Sequence, residues 1–314
     1  MALGTNHVTA TRAATFIPEV WSDDIIASRM KRLVVANHVN KITHGKGKGD
    51  TIHIPKPVRG SASAKAAETQ VTLIANTESE VVITIDKHYH YARMIEDFTE
   101  VLALSSLRQF YTQDAGYALA AQVDTDLFNL AEGLQGGTVG AGTWSSAVIG
   151  SDGSTAYDQT ANTNTGNGAA LTDAGLRRII QTLDDADVPN EDRVLIVPPS
   201  ERNNLMGISR FTEQAFVGDA GSSNTIRNGH IGELYGVNVF VTSNAPVETA
   251  ADGITQYRVA MMIHRDAFAY AEAMGVRVQT QNKLEYLGTL LVADTIYGVG
   301  ELRDDHGVAI VVSA

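Results

Sequence analysis

No cysteine occurs anywhere in the 314 residues. Disulfides, thiolate metal sites and cysteine nucleophiles are therefore excluded, and packing, hydrogen bonding and association must hold the protein together. The same absence suits a chain made in bacterial cytoplasm. Long apolar runs are missing too. No stretch approaches the roughly 18 residues of a membrane-spanning helix, so no membrane partner is expected. Residues 1–16 carry one Arg among several Thr and Ala, with no apolar core, which is not a signal peptide. That composition suits an arm that orders only against a partner.

Positive charge is scarce outside the first fifth of the chain. The formal net charge is −12, yet residues 1–67 hold ten Lys/Arg against four Asp/Glu, whereas residues 68–314 hold 14 against 32. A basic leading segment on an acidic body can bind nucleic acid, a membrane, or another copy of itself. The cations stand singly, as Lys41, Lys46, Lys48, Lys56, Arg59 and Lys65, without the clustering and interleaved aromatics of a nucleic-acid patch. Self-association of opposite charges fits better.

Along the chain, Ile17-Pro18-Glu19-Val20-Trp21 opens a helix to about Arg32, with Pro and acids early and cations late. Leu33-Val34-Val35 reads as a buried strand. Gly45 to Gly60 alternates Gly with Lys, then shows the period-2 run Thr51-Ile52-His53-Ile54 before Pro55 and Pro57, which confine it to an edge or an isolated ribbon. Val71 to Ile74 reads as its returning strand, so residues 45–76 form a hairpin with too few apolar residues for its own core. Such a hairpin is marginal in water and must lie on something else. A further strand run covers 80–95. Asp97 and Glu100 sit at capping-box spacing ahead of an apolar stripe from Leu104 to Leu130, which predicts a helix ended by Gly133 and Gly136-Gly137. Residues 136–168 are rich in Gly, Ser, Thr and Asn and read as a loop or insertion. Thr172 caps the next helix, Val194 to Val197 is a buried strand, Pro199 opens a short helix, and strands follow at 237–242, at 257–264 and from Val276 onward. Helices and strands mix without a βαβ repeat, which makes the class α+β.

Candidate chemistry does not assemble. Gly45 to Asp50 resembles a phosphate loop but lacks Ser/Thr after its Lys and a following helix. His88 and His90 share a strand face at metal-chelating spacing without a third ligand. His264-Arg265-Asp266 lacks the downstream Asn of a kinase loop, Ala271 standing there. Asp184, Asp185, Asp187, Glu191 and Asp192 miss the Gly and Glu of an EF-hand, since Asn190 and Ile196 fill those places. No catalytic, cofactor or metal residue is assigned.

The order of pieces carries a resemblance: Phe16-Ile17-Pro18-Glu19-Val20-Trp21, a short helix, the strand Gly49-Asp50-Thr51-Ile52-His53-Ile54-Pro55, a ribbon, a long helix, then an α+β region with Val197-Pro198-Pro199-Ser200. Over nearly the whole chain this resembles major capsid proteins of tailed bacteriophages with the Hong Kong 97-type fold. The resemblance implies an N-terminal arm and short helix (1–44), an extended loop (45–76), a peripheral domain with its spine helix (77–135), an insertion (136–168), an axial domain (169–265) and C-terminal strands returning to the peripheral domain (266–314). It implies pentamers and hexamers that contact neighbouring capsomers in an icosahedral shell, made in the bacterial host and residing in the virion. Portal, scaffolding or decoration proteins, and packaged double-stranded DNA held non-specifically on the inner face, are the implied partners; no cofactor is. Some members crosslink through a Lys–Asn bond, but Lys56 and Lys65 lack a family motif around them. Lys46, Lys48, Lys56, Arg59 and Lys65 are the expected inter-subunit contacts. An encapsulin-like nanocompartment shell, a hydrolase with an unrecognised site and a nucleic-acid-binding protein are the alternatives.

Overall fold

The computed structural model describes residues 34–43, 49–56, 60–71, 73, 79–96, 107–208 and 232–314. In chain order the strands are β1 (Asn40–Thr43), β2 (Thr51–Lys56), β3 (Ser79–Thr84), β4 (Lys87–Glu96), β5 (Val148–Ile149), β6 (Arg193–Val197), β7 (Glu233–Leu234), β8 (Val237–Val241), β9 (Val247–Thr249), β10 (Gln256–His264), β11 (Phe268–Lys283), β12 (Gly288–Glu301) and β13 (Gly307–Ser313). The longer helices are α1 (Leu107–Asn129), α2 (Asp173–Asp185) and α3 (Pro199–Met206). The expected helix before Arg32, the capping residues Asp97 and Glu100, and the polar loop near 218–228 lie outside the described residues.

Three sheets result. Four strands run in the order β1-β11-β12-β4, with β1 parallel to β11 and the rest antiparallel. A seven-stranded sheet runs β5-β13-β10-β6-β8-β7, with β9 pairing β10. Among the described residues, β2 and β3 pair only with each other.

The seven-stranded sheet is buried on both faces, which explains why its central strands are nearly unbroken apolar runs. Alternate residues separate cleanly. Ala260, Met262, Val308, Ile310 and Val312 pack with Leu176, Ile179 and Leu183 of α2. Val259, Met261, Ile263, Ala309 and Val311 pack with Leu127 and Phe128 of α1 and with Phe268 and Tyr297 of the four-stranded sheet. This second core joins the two sheets. α2 begins where Thr172 Oγ1 accepts the Gly175 N–H at 3.0 Å, satisfying a donor that the helix start leaves free. α1 buries Ala115, Leu119, Val123 and Leu127, one residue per turn, and Ala115 and Leu119 meet Ala293 of β12. Its described 23 residues span about 35 Å, and a 3-10 turn at Leu130–Gly136 ends it at the expected glycines.

Four expectations change. Val34 and Val35 are buried, but Val35–Asn37 is a 3-10 helix, not a strand, because its N–H groups are taken by a side chain. The strand that pairs β2 is Ser79–Thr84, whose Ile83 enters the interior; Val71 and Leu73 of the expected return are exposed, and Thr72 and Ile74 lie outside the described residues. Residues 136–168 are anchored: Trp144, Ala147 and Tyr157 are buried, β5 pairs β13, and the Glu132 carboxylate accepts the Gly140 and Thr143 N–H groups at 2.7 and 2.9 Å. Finally, residues 266–314 do not return as one block. β11 and β12 join the sheet under α1, whereas β13 lies inside the seven-stranded sheet beside β10.

Candidate inter-subunit surfaces

The ribbon has two unlike halves. Its pairing sets Ile52 opposite Ile83 and Ile54 opposite Val81, so these four share one face, while His53, Pro55, Val82 and Glu80 share the other. The first face packs inward: Ile83 is buried with Ala269 and Ala271 of β11, and Ile42, Ile52, Ile54 and Leu302 close around them. The root of the ribbon thus has a place on its own molecule, which corrects the expectation that the whole stretch lacks one. Beyond Lys56 the support ends. Residues 60–71 and Leu73 are exposed throughout, with Leu73 at 91% exposure.

A notch in β12 seats that root. A Cβ on Gly298 would sit 2.3 Å from the Thr84 carbonyl oxygen, and one on Gly300 would lie 3.0 Å from the Ile83 side chain. Glycine at these two positions lets β3 cross β12 at backbone distance. Backbone contact continues where Ile85 donates its N–H to the Asp50 carbonyl at 2.7 Å. The exposed His53–Glu80 pair, at 3.1 Å, bridges the ribbon's outer face.

Of the five cations expected at subunit contacts, Lys46, Lys48 and Arg59 lie outside the described residues. Lys56 stands exposed at the end of β2 and Lys65 stands exposed within 60–71. The structure does not bring these two together. Lys56 does lie within electrostatic reach of Glu301, a residue the sequence gives no reason to single out. Glu301 Oε1 is buried with no hydrogen-bond partner. Burial, then the Asp304 carboxyl beside it, push the Glu301 pKa from 4.5 up to about 7, with Lys56 opposing them. The folded protein therefore holds this proton more tightly than the unfolded chain does. The stability it contributes is complete below 4.5 and is lost as pH rises through about 7. Thermal melts in a pH series should show the melting temperature falling across that window. In Glu301→Gln, which keeps the neutral shape, that decline should flatten.

Three of the other candidate polar groups, His88, Asp184 and His264, have structural partners. His88 Nε2 lies 3.4 Å from Asp294 Oδ2, and Asp294 is held by Arg277 at 3.1 and 2.7 Å. Asp184 pairs at 2.8 Å with Arg193, whose guanidinium also donates to the Pro189 carbonyl. His264 Nδ1 accepts the Asp266 N–H. Among the described residues no group of three or more His, Asp or Glu side chains converges on a metal position, and no helix is long and apolar enough to cross a membrane.

The anchor of the leading segment is invisible in the sequence. Asp124, fully buried on α1, accepts the N–H groups of Val34, Val35 and Ala36 on one oxygen at 3.2, 2.8 and 3.4 Å. Its other oxygen accepts from Asn244 Nδ2 at 3.2 Å. One carboxylate thereby ties together the chain leaving residues 1–33, the long helix and the loop after β8.

The edges of the four-stranded sheet complete the inventory. β1 covers β11 only from Ala269 to Glu272; two register shifts follow at Met274 and Arg277, and from there the outer edge of β11 has no partner among the described residues. The hairpin beyond carries Leu284, Tyr286 and Leu287 at 83, 62 and 69% exposure.

Comparison with known proteins places this geometry. The family described as phage capsid protein matches residues 39–311. A search of curated proteins finds no match. Among solved structures, one from Mycobacterium phage Che8 superposes with a TM-score of 0.72 at 23% identity, covering 94% of this chain and 97% of that one. The capsid structure of the cyanophage P-SCSP1u gives a TM-score of 0.73 at 20% identity, covering 99% and 97%. The capsid of a native GTA particle gives 0.64 at 12% identity, covering 99% and 100%. At these identities the likeness shows a shared fold.

Proposed function

This chain belongs to the phage capsid protein family, and we propose that its copies close into pentamers and hexamers and tile an icosahedral head shell around packaged double-stranded DNA. The fold is the Hong Kong 97 type. In this reading the β2–β3 ribbon is the extended loop, α1 with the four-stranded sheet is the peripheral domain, and the seven-stranded sheet with α2 and α3 is the axial domain. Lys56 and Lys65, together with Lys46, Lys48 and Arg59, serve contacts between copies. Portal and scaffolding or decoration proteins, contact with DNA on the inner face, synthesis in the host cytoplasm and a purely structural, non-catalytic role belong to the same proposal. The family match gives no support to a nanocompartment shell, a hydrolase or a nucleic-acid-binding protein.

One observation carries it: a ribbon whose root is fastened to its own body while residues 60–71 are exposed throughout. Ordering an extended segment costs about 1–2 kcal/mol per residue, so it must be held by contacts outside the monomer. Exposed ion pairs contribute only about 0–1 kcal/mol each. Apolar and backbone contacts must therefore carry the docking, multiplied around rings and across the shell. Deleting residues 60–70 should leave a cooperatively folding monomer, since no buried residue is removed, and should abolish closed particles in negative-stain microscopy. Normal shells from that deletion would sink the reading.

A further inference from the structure

We infer that the open edge of β11 is a two-fold contact, where a second copy of this chain lays the same edge antiparallel and sets its hairpin tip into the groove beside α1. The inference rests on self-assembly as proposed above but not on the ribbon.

Unpaired strand edges invite pairing, and proteins that must not associate guard them with charge, proline or short length. The two free edges of the four-stranded sheet differ in this respect. β4 carries Lys87, His88, His90, Arg93 and Glu96. The open part of β11 carries Val278-Gln279-Thr280-Gln281-Asn282 without one charge or proline. The neighbouring Arg277 is already engaged by Asp294. Between Arg277 and Lys283 the edge is uncharged and unguarded.

Its sequence is also self-complementary under a two-fold axis. With the axis at Gln279, Val278 faces Thr280, Arg277 faces Gln281, Val276 faces Asn282 and Gly275 faces Lys283, so no like charges oppose one another, whereas an axis at Thr280 would set Arg277 against Lys283. Centred amides and hydroxyls can exchange hydrogen bonds across the junction.

The same operation accounts for two further features at once. It carries Leu284, Tyr286 and Leu287 of one copy past Met274 and Glu272 of the other. There a groove of about 330 Å³ opens between α1, the 35–37 turn and the sheet, lined by Leu119, Ala120, Val123, Tyr270 and Val276. An exposed apolar tip and a largely apolar groove, open among the described residues and rimmed by Lys41 and Glu272, would each cover the other, twice per contact.

The chain's lack of cysteine makes the test direct. Gln279→Cys sets one cysteine from each copy side by side at the axis, and Thr280→Cys reports the neighbouring register. Assembled protein is oxidised with copper phenanthroline and run on non-reducing gels. A dimer band from one of these two variants, at least tenfold above Lys283→Cys, is expected. Changing Leu284, Tyr286 and Leu287 together to Ser should leave the monomer's melting temperature unchanged and lower that band at least tenfold. No band in any sample while shells form overturns the inference and leaves the shell reading intact. So does a band that appears only when Thr280→Cys is combined with a cysteine at Ser63 or Thr11, because the ribbon or the leading segment then fills the edge. If no shells form, the shell reading fails, and the soluble protein still decides the edge: a dimer band supports the contact, and its absence overturns it.

Discussion

Valine in place of Gly298 is expected to yield a folded protein that no longer assembles. The Cβ it adds would fall 2.3 Å from the Thr84 carbonyl oxygen and 3.0 Å from its carbon, and both atoms belong to the backbone of β3. Neither can rotate away, so the ribbon must lift from β12. Overpacking of this kind costs about 1–3 kcal/mol, which a chain of this size tolerates as a lowered melting temperature. The assembly effect is larger than the stability effect because the ribbon is a lever. Thr84 and Thr51 stand at its root, and the paired strands run about 17 Å from there before the exposed segment begins. A tilt that relieves a clash of an ångström at the root displaces residues 60–71 by several. Gly300 supplies the control. A Cβ there meets only the Ile83 side chain at 3.0 Å, which can shift. Gly300→Ala should assemble at close to the normal yield, Gly298→Ala poorly and Gly298→Val not at all, as read by sedimentation of shells and by melting curves on the monomers. Equal yields from all three would show that the notch does not set the ribbon.

The places where the sequence was and was not legible divide by distance along the chain. Thr172, three residues ahead of the amide it caps, announces α2 by itself. The apolar run at β6 and the Pro that starts α3 are equally local. Misread elements answer to partners far away. Val34 and Val35 look like a strand, but Asp124, some 90 positions on, gathers their N–H groups into a turn. Val71 to Ile74 looks like the return of the ribbon, yet pairing follows burial of Ile83 against Ala269 and Ala271. Residues 80–95 read as one strand because nothing like Pro or Gly marks the break at Ile85-Asp86, where the chain passes from the ribbon to the four-stranded sheet. Trp144 and Tyr157 are single anchors in a polar stretch, and single anchors have no period. The five cations were legible as a charge asymmetry, whereas the glycine notch and Glu301 depend on which strand crosses which, and composition does not record that.

Loss of the Asp124 carboxylate should produce the largest fall in stability of any single substitution considered. Its two oxygens satisfy three backbone N–H groups and the Asn244 amide, and Asp124, Val34 and Val35 are buried. Burial raises the pKa of this carboxyl, and the four donors pull the other way without reversing the direction. Asp124→Ala strands the Val34, Val35 and Ala36 N–H groups, while the Asn244 amide keeps Thr125 Oγ1 at 3.0 Å, and each unsatisfied buried group costs about 1–3 kcal/mol. Partial relaxation will reduce the sum, leaving a loss on the order of 4 kcal/mol, comparable to breaking a buried ion pair. At about 2–4 °C per kcal/mol for larger domains, the melting temperature should drop by roughly 10 °C. Asp124→Asn keeps the shape and one accepting oxygen, so it should recover about half of the loss. The two variants should also separate stability from assembly. Asn can still gather the Val34 to Ala36 amides and so still fix where residues 1–33 leave the body, whereas Ala releases that point. Assembly of Asp124→Ala, assayed at a temperature well below its own melting point, should therefore remain deficient while Asp124→Asn forms shells. If Asp124→Ala assembles normally once folded, the carboxylate serves the core alone and the departure point of the leading segment is set elsewhere.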